Sequence, residues 1–97
     1  MISQLNPKFI DWIQKNNQID SYILRALMDE YSYATSKFGK FLSPHEGISI
    51  IREEYKELEN EVFNKNRNYP KMWREATHLA TMAIRFMNDV EMERLKI

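Results

Sequence analysis

The chain has 97 residues, with 14 basic and 14 acidic side chains and a formal net charge of zero. That length fits one domain spanning 1–97, and the balance speaks against a nucleic-acid binder, which carries a basic surplus or patch. It has no cysteine, so disulfides, thiolate nucleophiles and zinc–thiolate sites are excluded; with no long apolar run either, a cytoplasmic protein with no membrane partner is expected.

Hydrophobic residues make up 43% of the chain, with only two glycines and three prolines. This favours a folded helical protein over a turn-rich sandwich or barrel. Asn6-Pro7 reads as the first helix start, with Asn as N-cap and Pro at the first helical position. Phe9, Ile10, Trp12 and Ile13 follow at helical spacing, and Asn16-Asn17 closes that helix. A second begins at Asp20-Ser21, carries Ile23, Leu24, Leu27, Tyr31, Ala34 and Phe38, and stops at Gly39. The third starts at Ser43-Pro44-His45-Glu46, a capping box. Its apolar seam of Ile48, Ile51, Tyr55, Leu58 and Val62 is narrow, as in helices that pair. Residues 64–68 form a polar turn, and Tyr69-Pro70 opens a fourth helix. That helix has a broad apolar face of Met72, Trp73, Ala76, Leu79, Ala80, Ala83, Ile84, Met87 and Val90. The class is therefore all-α, a bundle of about four helices. So short a chain buries little core alone, and the open seams predict a homodimer that completes the bundle.

The net zero hides an acidic middle. Residues 1–40 carry five basic and four acidic groups, residues 67–97 six and four, and residues 41–66 only three basic against six acidic. On a helical wheel Glu54, Glu61 and Glu57 flank one side of the 48–62 seam, with Glu53 further toward solvent. Glu54 and Glu57 are three residues apart, which sets their Cβ atoms about 5–6 Å apart. A divalent cation would relieve their repulsion; a solvated face with local ion pairs would give the same pattern. The fourth helix adds Glu75 and His78, also three apart, at one edge of its apolar face, where Met82, Arg85 and Asp89 continue the row. If the third and fourth helices pack antiparallel, Glu54 and Glu57 come to face Glu75 and His78. Asp89 is about 21 Å from Glu75 along the axis and cannot share their ion.

These patterns resemble the MazG-like all-α nucleotide pyrophosphohydrolases. The likeness runs over residues 37–89, through K-F-G-K-F at 37–41, H-E-G at 45–47, I-R-E-E-Y-K-E-L at 51–58 and E-A-T-H-L-A-T-M-A-I-R-F-M-N-D at 75–89. The family pattern is E-E-x-x-E on one helix and E-x-x-D on the next; His78 stands where the family usually has aspartate. The resemblance implies hydrolysis of a nucleoside triphosphate to the monophosphate and pyrophosphate; a homodimer or homotetramer is expected from the open seams. By that scheme Glu54, Glu57, Glu75 and His78 bind Mg²⁺ or, with an imidazole in the set, Mn²⁺. Glu53 orients or deprotonates the attacking water, and Lys37, Lys40 and Arg85 contact phosphates. Trp73, Tyr31 or Phe38 could stack a base, although aromatics at helical spacing more commonly form core. Two other readings stay open. One is a catalytically inactive MazG-like module that binds nucleotide or another protein. The other is a dimeric di-iron bundle built on Glu75-x-x-His78. His45, in the first turn of its helix, has a surface or capping role.

Overall fold

The computed structural model describes residues 7, 8, 11 and 20–95. Among these the protein forms three α-helices and no strand: α1 (Ser21–Lys37), α2 (Pro44–Val62) and α3 (Tyr69–Leu95). They are the second, third and fourth helices expected from the sequence. The expected first helix lies outside the described residues apart from Pro7, Lys8 and Asp11, which are helical.

Each helix starts on a side-chain cap that satisfies a backbone donor at the end of the hydrogen-bond ladder. The Asp20 carboxylate accepts the Tyr22 N–H at 2.8 Å. Ser43 Oγ accepts the Glu46 N–H at 3.2 Å. Glu46 reaches back to the Leu42 N–H at 3.1 Å, one residue before the donor that a capping box prescribes. Asn68 Oδ1 accepts the Lys71 N–H at 3.0 Å, so Asn68 is the cap and Pro70 sits in the first turn, where its missing donor has no partner to lose. The end of α1 differs from expectation. The helix stops at Lys37, and Phe38, in extended conformation, returns its N–H to the Ala34 carbonyl at 2.8 Å. Gly39 does not take the left-handed conformation of a glycine stop, and its carbonyl and that of Phe38, just past the helix, accept from Arg85.

Three pairings fix the direction of α1 on α3. Tyr22 meets Trp73, Glu30 meets His78, and Phe38 and Gly39 meet Arg85, so the two run parallel. Phe41 meets Asp89, Gly47 meets Phe86, Glu54 meets His78 and Glu61 meets Lys71, so α2 and α3 run antiparallel, as expected. α3 is the shared partner, and α1 and α2 pack mainly on it. The core is small: Ala34, Phe41 and Met82 are buried, with Ile50, Ile51 and Phe86 against them. Gly47 permits the close approach of α2 and α3 here. A Cβ at that position would lie 2.6 Å from Phe86 Cδ2 and 3.0 Å from Phe41 Cδ2, well inside van der Waals contact.

The rotation of the helices departs from their apolar patterns. α2 turns Gly47, Ile50, Ile51, Glu54 and Glu61 toward α3. On a wheel that face is centred roughly 90° from Ile48, Tyr55 and Val62, which stay exposed, Tyr55 by 52%. α3 turns the row Glu75, His78, Met82, Arg85 and Asp89 inward. This row is not the edge of the packed face but its centre, for Met82 and Arg85 are buried while Met87 is 65% exposed. Among the described residues no helix is long and apolar enough to cross a membrane.

Candidate metal centre

The inward row on α3 divides into two halves. Its C-terminal half is fully employed in holding the loop between α1 and α2. Arg85, 5% exposed, donates from Nη2 to the Gly39 carbonyl at 2.6 Å and to the Phe38 carbonyl at 3.3 Å. Its guanidinium lies 5.0 Å above the Phe41 ring, a cation–π contact in a dry setting. Asp89 Oδ2 accepts the Phe41 N–H at 3.0 Å. These contacts supply partners to backbone groups of the loop that lie outside either helix's own hydrogen-bond ladder.

The N-terminal half has no such duty. Glu75 and His78 meet Glu54 from α2 and Glu30 from α1. His78 Nδ1 lies 3.6 Å from Glu75 Oε2 and 3.9 Å from Glu54 Oε2. Its Nε2 lies 3.7 Å from Glu30 Oε1. The Glu54 and Glu75 side chains are 19% and 14% exposed, and the Oε2 atom of each is buried with no hydrogen-bond partner. A buried carboxylate oxygen without a partner is costly, and two side by side are more so. Burial first, then repulsion from Glu57 and Glu75, pushes the Glu54 pKa up from 4.5 to about 7, against the pull of His78.

The donor atoms of Glu54, Glu75 and His78 all lie within 4.8 Å of one another. An ion bound about 2.1 Å from each donor holds them roughly 3–3.5 Å apart, so donors at the wide end of that spread must draw together by about 1.3–1.8 Å to close the site. Two carboxylates and an imidazole suit Mn²⁺, Fe²⁺ or Zn²⁺, and nothing in the set singles out Mg²⁺. The orphaned oxygens and the donor types therefore fit a resident divalent ion.

The other sequence-derived candidates fall in different places. Glu57 is exposed and outside the three-residue group, though Glu54 feels its charge. Glu53 is exposed on the solvent side of α2. Lys37 donates to the Tyr33 hydroxyl at 3.0 Å, which raises its pKa. Lys40 pairs with Glu93 at 3.0 Å, 15 residues or about 22 Å along α3 from His78. It lines a separate cavity of about 360 Å³ with Phe41, Pro44, Phe86, Asp89 and Val90. Arg85 is about 10 Å along the axis from His78. Thus the metal candidates Glu54, Glu75 and His78 converge, while the three basic candidates do not join them. Trp73 stacks on Tyr22, ring centres 5.8 Å apart.

Sequence reasoning missed Glu30. A signal was present: Glu30 lies between Leu27 and Ala34 at helical spacing, a charge inside an apolar stripe.

Comparison with protein-family models, with curated proteins and with solved structures finds no match.

Proposed function

We propose that this protein is a metal-dependent nucleoside triphosphate pyrophosphohydrolase with a MazG-like active site, working as a homodimer or homotetramer. The observation that carries it is the meeting of Glu54, Glu75 and His78 around two buried carboxylate oxygens that have no partner. The resemblance of the E-E-x-x-E and E-x-x-H patterns supports the choice of a nucleotide as substrate. Glu54, Glu75 and His78 would hold the ion, with exposed Glu57 next to Glu54 available to join them. When bound, the ion supplies Lewis-acid charge to phosphate oxygens. Glu53, open to water one residue from Glu54, is assigned to orienting the nucleophile. Mn²⁺ fits the donor set better than Mg²⁺. The exposed row of Ile48, Tyr55 and Val62, spaced seven residues apart, supports a second copy packed along α2.

Pyrophosphate release from a panel of (d)NTPs, with Mn²⁺ and then Mg²⁺, tests the reading on the wild type and Glu54→Ala. Turnover lost in Glu54→Ala is expected. No turnover with any nucleotide would refute the activity, and turnover that survives the substitution would refute the site.

A second reading draws on Glu30. One glutamate from each of two helices and a Glu-x-x-His from a third is part of the donor inventory of carboxylate-bridged di-iron bundles. Tight Fe²⁺ binding that consumes O₂, without nucleotide hydrolysis, would favour it.

A further inference from the structure

His78 stands between two sets of carboxylates, one facing each ring nitrogen. Nδ1 faces Glu75 Oε2 at 3.6 Å and Glu54 Oε2 at 3.9 Å, while Nε2 faces Glu30 Oε1 at 3.7 Å. The two nitrogens point in diverging directions within the imidazole plane, and Glu30 offers no atom to the donor group of Glu54, Glu75 and His78, so an ion bound at Nδ1 is out of reach of Glu30. A neutral imidazole carries one N–H, and the nitrogen that ligates must be the other one. We propose that Glu30 is a positioning residue for this centre: on metal loading its carboxylate closes from 3.7 Å to hydrogen-bond distance, accepts the His78 Nε2–H and so presents Nδ1, stripped of its proton, to an ion shared with Glu54 and Glu75. The inference rests on the metal reading above and adds to it the α1 helix.

Three observations carry it. First, the orphaned oxygens are the Oε2 atoms of Glu54 and Glu75, both on the Nδ1 side. Second, Glu30 comes from a helix that contributes no atom to the three-residue donor group. It can therefore orient the ring without competing for the ion. Third, Glu75 and His78 share one turn of α3, whereas Glu30 and Glu54 approach from α1 and α2 on either side. The ring is thereby flanked by carboxylates from two neighbouring helices as well as its own. A carboxylate on the far nitrogen of a ligating histidine is a recurrent device, for it selects the tautomer, fixes the ring and raises the basicity of the ligating nitrogen.

The test is Zn²⁺ titration by calorimetry together with ¹⁵N NMR of histidine-labelled protein. The chain has only two histidines, and His45→Asn leaves His78 alone in the spectrum. In the Zn²⁺-loaded protein, Nε2 should be protonated and Nδ1 metal-bound. Glu30→Ala should weaken Zn²⁺ binding about 10–100-fold, and Glu30→Gln, whose amide oxygen still accepts the N–H, should recover much of the loss. Wild type with the metal on Nε2 would overturn the proposal, as would equal Zn²⁺ affinity in wild type and Glu30→Ala. The underlying metal reading fails separately, if wild type takes up neither Zn²⁺ nor Mn²⁺ or if Glu54→Ala and Glu75→Ala bind them undiminished; the proposal falls with it. The tautomer in the wild-type spectrum decides the matter even if Glu30→Ala does not fold.

Discussion

Replacing Glu54 by glutamine should stabilise the metal-free protein at about pH 8 and change little at about pH 4. In the folded chain burial and the neighbouring carboxylates hold the Glu54 pKa at about 7, against 4.5 for the free group. Below 4.5 both folded and unfolded chains carry the proton, and the stability associated with it is complete. As pH rises from 4.5 to about 7 the unfolded chain releases the proton first, so the folded state is progressively disfavoured. The loss is complete once pH passes the folded value. An interval of that width corresponds to about 3 kcal/mol for a fully buried group. The Glu54 side chain keeps 19% of its surface, and screening by that water reduces the expected effect to about 1–2 kcal/mol. Glutamine resembles the protonated form and removes the pH-dependent part. Urea denaturation followed by far-UV circular dichroism, in chelator and at fixed protein concentration, measures the difference between the two proteins at each pH. The gap should open between pH 4.5 and 7 and then stay constant. Parallel profiles would refute the burial argument, and a glutamine variant less stable than wild type at pH 8 would refute the assignment of an unpaired buried charge.

Three further outcomes follow from the geometry. Mn²⁺ at a hundredfold excess over its dissociation constant should raise unfolding stability by about 2.7 kcal/mol, visible as a higher melting temperature that disappears in Glu75→Ala; an equal rise in both would mean the ion binds elsewhere. Gly47→Ala places a Cβ 2.6 Å from the Phe86 ring, so it should cost about 1–3 kcal/mol in urea denaturation despite alanine's better helix propensity; a gain would show that α2 can draw back freely. Arg85→Met removes the donors to the Phe38 and Gly39 carbonyls and should lower stability by about 2–4 kcal/mol, with increased amide exchange at Phe41; unchanged exchange would show that the loop holds itself.

Much of the fold was legible because it is locally encoded. Asp20 and Ser43 announce their helices, since a short side-chain acceptor next to the first free N–H groups needs only its own turn. The polar run at 64–68 separates α2 from α3 for the same reason. Gly39 misled as a stop, because α1 closes on Phe38 and the Gly39 carbonyl instead accepts from Arg85, 46 residues away. Part of the site was also legible. Glu54 and the Glu75/His78 pair could be matched once α2 and α3 were taken as antiparallel, whereas Glu57 looked equivalent to Glu54 and remains exposed. Lys37, Lys40 and Arg85 carry the charge that phosphates require, yet they find partners in Tyr33, Glu93 and the loop carbonyls.

By itself, then, the sequence determines that the chain is helical, where three helices begin, and that its acidic groups concentrate on α2. The tertiary structure decides which face of each helix is turned inward. Apolar periodicity would bury Met87 and Tyr55 and leave Glu75 and Glu54 at a margin; the fold does the opposite. The physical reason lies in the loop between α1 and α2. Its carbonyls and the Phe41 N–H need partners, Arg85 and Asp89 supply them only when their row faces inward, and one rigid helix carries Glu75 and His78 round with it. The net charge of zero is met locally at that end of α3. At its other end, three glutamates from three helices surround one histidine.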